Sequence, residues 1–102
     1  MADVLVTIKR TVLAGRYAFS EKAREELDAD DLTEMDVVES ILNAVAIYKT
    51  IRSRNPRTGK REYLHIIQSA TLQGLAIYTK GKLVTESGVE TYYFLVSSKR
   101  AL

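Results

Sequence analysis

The sequence has no cysteine, one histidine and one proline in 102 residues. Without cysteine there is neither a disulfide framework nor a thiolate nucleophile, and a lone histidine leaves too few soft ligands for a structural zinc site. No metal and no other cofactor is expected. The apolar runs are short and broken by charges, far below the roughly 20 residues a membrane-crossing helix needs. Residues 1–15 lack the apolar stretch and small-residue cleavage site of a secretory signal, so a cytoplasmic protein of bacterial type, away from membranes, is the expectation. Phosphate-binding Walker loops and dinucleotide fingerprints are missing. Glu62, Glu86 and Glu90 are scattered, which gives paired-carboxylate chemistry of the glycosidase kind little support.

What the chain does have is a charge divided about residue 45. Residues 1–45 carry five Lys/Arg against ten Asp/Glu, and residues 46–102 carry ten against three, so the formal net charge of +2 hides halves of −5 and +7. Phosphate binding follows local rather than total charge, so the C-terminal half is expected to meet a polyanion. The positive charge is expected on one sheet face and a basic turn, with the helical half acidic. A hydrophobic content of 46% over this length supports one core, hence a single domain over 1–102.

Periodicity divides the chain in the same place. Val4, Leu5, Ile8, Val12 and Leu13 recur at helical steps and predict a helix over 3–14, with Gly15 as its C-terminal stop. Ser20 is an N-cap candidate for a short second helix carrying Ala23 and Leu27. Thr33 and Asp36 have capping-box spacing ahead of Val38, Ile41, Leu42 and Val45, which predicts a third. The period then becomes two. Strands are predicted over 46–53, 61–69, 75–80 and 90–98, with a turn at 55–59 and a loop or bulged connection over 81–88. The last strand, apolar and aromatic, is expected to be central. Helices followed by hairpin-linked strands define an α+β domain, three helices on a mostly antiparallel four-stranded sheet.

Arg52, Arg54, Arg57, Lys60 and Arg61 put five cations around a Pro-Gly turn, a candidate phosphate clamp. Lys49 alternates with two isoleucines, either at the sheet rim or held in a pocket. His65 on a strand is structural or catalytic, and Tyr63, Tyr78, Tyr92 and Tyr93 pack the sheet or contact substrate. Lys80 shares a strand face with Tyr78. Lysine, arginine, tyrosine and one histidine on a sheet suit metal-independent RNA cleavage, in which a 2′-hydroxyl attacks the adjacent phosphate. The same inventory suits passive RNA binding.

The order of these pieces resembles the motility quorum-sensing regulator (MqsR) toxins, a branch of the RelE-like bacterial mRNA interferases. The likeness is carried by Val6-Thr7-Ile8-Lys9-Arg10 with Leu13-Ala14-Gly15, by Ser20-Glu21-Lys22-Ala23, by Asp36-Val37-Val38 with Ile41-Leu42, and by Ile47-Tyr48-Lys49-Thr50. It continues through Ile77-Tyr78-Thr79-Lys80 to Leu95-Val96-Ser97-Ser98-Lys99. The resemblance implies a RelE-like fold and a toxin that cleaves mRNA, encoded beside an antitoxin protein, with the ribosome as a further candidate partner. It also implies Lys49, Tyr78 and Lys99 as the active residues on one site, with His65 or Tyr63 close by. Arg52, Arg54, Arg57, Lys60, Arg61, Tyr63 and Lys80 are the expected RNA contacts. A family glutamine has no direct counterpart: Gln68 is displaced, and His65 falls nearer its place. The alternatives are a non-catalytic RNA- or protein-binding module of the same fold, and a related toxin acting on a protein.

Overall fold

The computed structural model describes residues 3–86 and 88–101, with the side chains at 86 and 89–91 outside the description. The elements run α1 (Val4–Leu13), β1 (Tyr17–Phe19), α2 (Glu21–Ala29), α3 (Glu34–Asn43), β2 (Lys49–Arg54), β3 (Arg61–Ala70), β4 (Ala76–Glu86) and β5 (Val89–Arg100). None of these helices is long and apolar enough to cross a membrane.

Local chemistry starts each helix. Asp3 accepts the Leu5 amide proton at 2.8 Å, and Ser20 accepts that of Ala23 at 3.0 Å. Thr33 and Asp36 exchange bonds in a full capping box. Each such cap is worth about 1 kcal/mol. Gly15, at φ 78°, takes the left-handed conformation that ends α1 and turns the chain into β1. The third helix stops earlier than its apolar spacing suggested: Ala44 is extended, its carbonyl accepts the Lys9 ammonium, and Val45 is 98% exposed.

The sheet has five strands and is mixed, in the order β1-β5-β4-β3-β2. This corrects the expected four-stranded, mostly antiparallel sheet. The additional strand, β1, is three residues long and lies parallel to β5, with Tyr17, Ala18 and Phe19 opposite Tyr93, Phe94 and Leu95. So short a segment carries no alternation of its own and exists only through this long-range pairing. The centre of the sheet is β4, and β5 lies one place from the edge.

The expected connection over 81–88 is also corrected. The fourth strand continues through Gly81 to Glu86 and keeps pairing with β5. Glycine normally weakens a strand interior, but here the missing side chain is filled from across the sheet. A Cβ on Gly81 would stand 2.5 Å from the ring of Tyr93, which is wholly buried. That ring lies in the common core with Ile8, Val37, Ile41, Ile67, Ile77 and Leu95, beneath the helices.

Two features of β5 fix the C-terminal half. Register shifts by one residue between Lys80 and Gly81: Lys80 pairs with Ser97 and Gly81 with Leu95, leaving Val96 as an extra residue. Beyond the reach of β1, the outer edge of β5 is closed by α2. Glu26 accepts from the Ser98 amide at 3.2 Å and the Ser97 hydroxyl at 2.7 Å, and Asp30 accepts from the Arg100 amide at 2.8 Å.

Two substitutions test the packing about Gly81. Gly81→Ala drives a methyl into the Tyr93 ring and is expected to cost about 1–3 kcal/mol, the usual penalty for overpacking. The Tyr93 hydroxyl is buried with no hydrogen-bond partner among the described residues. Tyr93→Phe removes it and is expected to raise stability by about 1 kcal/mol, both changes being read from urea unfolding midpoints.

Candidate functional site

Alternation places Tyr78, between buried Ile77 and Thr79, on the face of the sheet away from the helices. Its register partners there are Gln68 on β3 and Lys99 on β5. These three side chains, with Arg100 and Ala101, line a surface cavity of about 320 Å³. The Lys99 ammonium stands 5.4 Å from the centroid of the Tyr78 ring. A cation held against a tyrosine beside a carboxamide offers positive charge and hydrogen-bond donors to one anionic group.

Lys80 follows Tyr78 on the same face, one step along β4. Lys49 belongs there too, through the register Lys49–Ile66–Lys80. Two strand spacings separate Lys49 from Lys80, roughly 10 Å between backbones. Lys49 therefore shares the open face without lining the Tyr78 cavity. The face continues to Lys82, Phe94 and Tyr92. Lys82 forms an ion pair with Glu62 and also lies 5.8 Å over the Phe94 ring, while Phe94 and Tyr92 meet edge to face at 6.4 Å.

His65 points the other way. Its Nδ1 is 3.1 Å from the hydroxyl of Thr50, which sits opposite it in register, and both lie on the helix side of the sheet. Tyr63 and Arg61 share that side with His65, as do Arg52 and Arg54 of β2. The expectation that His65 or Tyr63 completes a site with Lys49, Tyr78 and Lys99 is therefore corrected: a sheet separates them. The glutamine set aside for its displacement, Gln68, is the residue that stands beside Tyr78. A one-residue offset on a strand reverses the face, and that offset separates Ile66 and Gln68 from His65 and Ile67.

The basic residues divide between one sheet face and the Arg52–Arg61 hairpin, the two places named from the charge pattern, but the strand arginines of that hairpin turn to the helix side. Lys49, Lys80, Lys82 and Lys99 occupy the open face, whereas Arg52, Arg54 and Arg61 lie on the helix side and Arg57 and Lys60 on the exposed turn. The turn itself is tied by Asn55, whose side chain accepts the Arg57 amide proton at 2.8 Å, and by Arg54, which donates to the Gly59 carbonyl. On the helix side, Val4, Ile47, Thr50, Arg61, Tyr63, His65 and Leu83 border a largely apolar cavity of about 540 Å³, and the Glu62–Lys82 ion pair of the open face also reaches its lining. Lys82 and Phe94 are the residues of the open face that sequence reasoning passed over, while Gln68 was set aside and Tyr92 was named without a place. Only the alternation about Tyr78 could have brought in Lys82.

Comparison with known proteins returns no matching family model, no matching curated protein and no matching solved structure. A functional reading therefore rests on the side chains of this chain and their arrangement.

Burial lowers the pKa of His65 from its usual value of 6.5, because desolvation disfavours the imidazolium. A depressed histidine favours the folded state fully above pH 6.5, where the ring is neutral in both states. Below that the unfolded chain binds the proton first, so its contribution declines towards the lowered folded value. Thermal unfolding is accordingly expected to fall less steeply with acid in His65→Gln than in the parent, from about pH 6.5 downwards.

Proposed function

We propose that this protein is a metal-independent endoribonuclease cleaving mRNA, the toxin of a type II toxin-antitoxin pair of the bacterial cytoplasm. The observation that supports it best is the Lys99 ammonium over the Tyr78 ring, beside Gln68, on an open lysine-bearing face. In this reading the 2′-oxygen of a bound ribose attacks the neighbouring phosphorus. The bond to the 5′-oxygen breaks, leaving a 2′,3′-cyclic phosphate and a 5′-hydroxyl. The 2′-proton passes to water. Lys99 and Lys80 offset the charge of the phosphorane, Gln68 donates a hydrogen bond to a non-bridging oxygen, and the Tyr78 hydroxyl donates to the departing 5′-oxygen. Lys49 attracts the strand further along the face.

A chelator-treated RNA cleavage assay tests this. Wild-type protein is expected to cut, with Lys99→Ala and Tyr78→Phe each lowering the rate on the order of 100-fold while melting near the parental temperature. Binding without cleavage would instead leave a non-catalytic RNA-binding module.

A toxin of this kind requires a neutralising protein partner. The helix-side cavity supports that part of the reading: its one lining carboxylate, Glu62, is offset by Lys82, so an apolar hollow bordered by Arg61, with Arg52 and Arg54 on the same face, complements an acidic segment with an apolar anchor. Arg52→Glu combined with Arg61→Glu is expected to abolish co-purification with the product of the adjacent gene while leaving metal-free cleavage in place. Undiminished co-purification of the double variant would move the partner elsewhere.

A further inference from the structure

We propose that the far end of the open face is a stacking platform for unpaired bases, built from Phe94 and Tyr92 and served by Lys82, so that the ligand of this face is a single-stranded rather than a duplex nucleic acid. The inference deepens the ribonuclease reading by specifying the state of the strand, and takes from it only the position of the scissile phosphate.

Three observations carry it. First, Phe94 and Tyr92 are partly exposed aromatics on the face that no helix covers, since their neighbours Tyr93 and Leu95 supply the buried side of β5. Second, the two rings hold one another edge to face at 84°, which fixes their orientation before any ligand arrives. Third, cations flank them. Lys82 lies over Phe94 at 5.8 Å, near the outer limit of a cation–π contact, so the ring is loosely covered; the ammonium is held by Glu62, and its long side chain reaches a phosphate by exchanging that carboxylate for it as a base takes its place. Glu62, the one carboxylate among the described side chains of this face, is already paired with Lys82, while Lys49, Lys80 and Lys99 form no ion pair among the described residues.

The geometry also sets the path of the strand and its distance from the phosphate site. Tyr78 and Lys82 are four residues apart on β4, about 13 Å at strand rise. A strand whose phosphate meets Tyr78 and Lys99 therefore reaches the platform after a short run of nucleotides along the β4–β5 pair. Paired bases offer no π-face to a flat sheet, so duplex RNA cannot use these rings, whereas an unpaired base of any identity can stack.

The test uses an uncleavable oligonucleotide with 2′-deoxy sugars and one 2-aminopurine, moved base by base along the strand, and the same strand annealed to its complement. Tight binding of the single strand is expected, with fluorescence quenched at one or two adjacent positions and the duplex bound more weakly. Phe94→Leu and, separately, Tyr92→Leu are expected to weaken binding about tenfold and to remove the quenching, with Phe94→Tyr restoring both. Circular dichroism confirms that each variant is folded. Equal binding of duplex, absence of binding, or leucine variants that bind and quench like the parent would overturn the platform. So would capture of polyglutamate with the same dependence on Phe94, which would give the face to an acidic protein. The ribose form of the same oligonucleotide separates the two readings. An uncut strand with Phe94-dependent binding removes the nuclease and keeps the platform, and a cut strand bound independently of Phe94 does the reverse.

Discussion

The arrangement of the open face depends on a single unpaired residue in β5. Side chains alternate along a strand, so with strict alternation Lys99 would lie on the same side as Tyr93 and Leu95, beneath the helices. The register shift at Val96 changes the parity, so that Ser98 turns into the core and Lys99 turns out to meet Tyr78. Phe94 and Lys99, five positions apart, thereby share one surface. Bulges commonly re-aim a side chain at the cost of local pairing. Here the local irregularity is contained by Ser20, whose amide donates to the Leu95 carbonyl and whose hydroxyl donates to that of Val96.

The second constraint is that β5 must not be left with a bare edge. Unpaired amides on an outer strand invite association with other chains. The three residues of β1 cover the stretch around Tyr93 to Leu95, and the carboxylates of Glu26 and Asp30 take over from there. The acidic half of the sequence thus has a structural use beside its charge: Glu26, Asp30 and, on the Leu72 amide, Glu39 are hydrogen-bond acceptors for the basic half. Lys99 sits between the two amides that Glu26 and Asp30 hold, so its backbone is anchored on both sides.

Those features of the fold that depend on neighbours in sequence were legible in the sequence, and those that depend on distant partners were not. The caps at Ser20 and Thr33 are local chemistry, and the second and third helices start where those residues stand. By contrast β1 is defined by a partner some 76 positions away, and Gly81 reads as a loop unless the ring of Tyr93 is known to fill its place. For the open face, residue types pointed to Lys49, Tyr78, Lys80 and Lys99, all of which lie on it. The missing information was parity. His65 and Gln68 differ by three positions, an odd number, so at most one of them could stand with Tyr78, and only the pairing register decides which.

The close fit of Gly81 beneath Tyr93 has a consequence for how this fold can vary over time. Position 81 is not free to drift alone and position 93 can exchange only one ring for another: any side chain at 81 collides with a full-sized ring at 93, and a small residue at 93 leaves a hole above a glycine. Lineages descending from this chain can explore the rest of the β4–β5 pair one substitution at a time, but must cross here by changing both residues together.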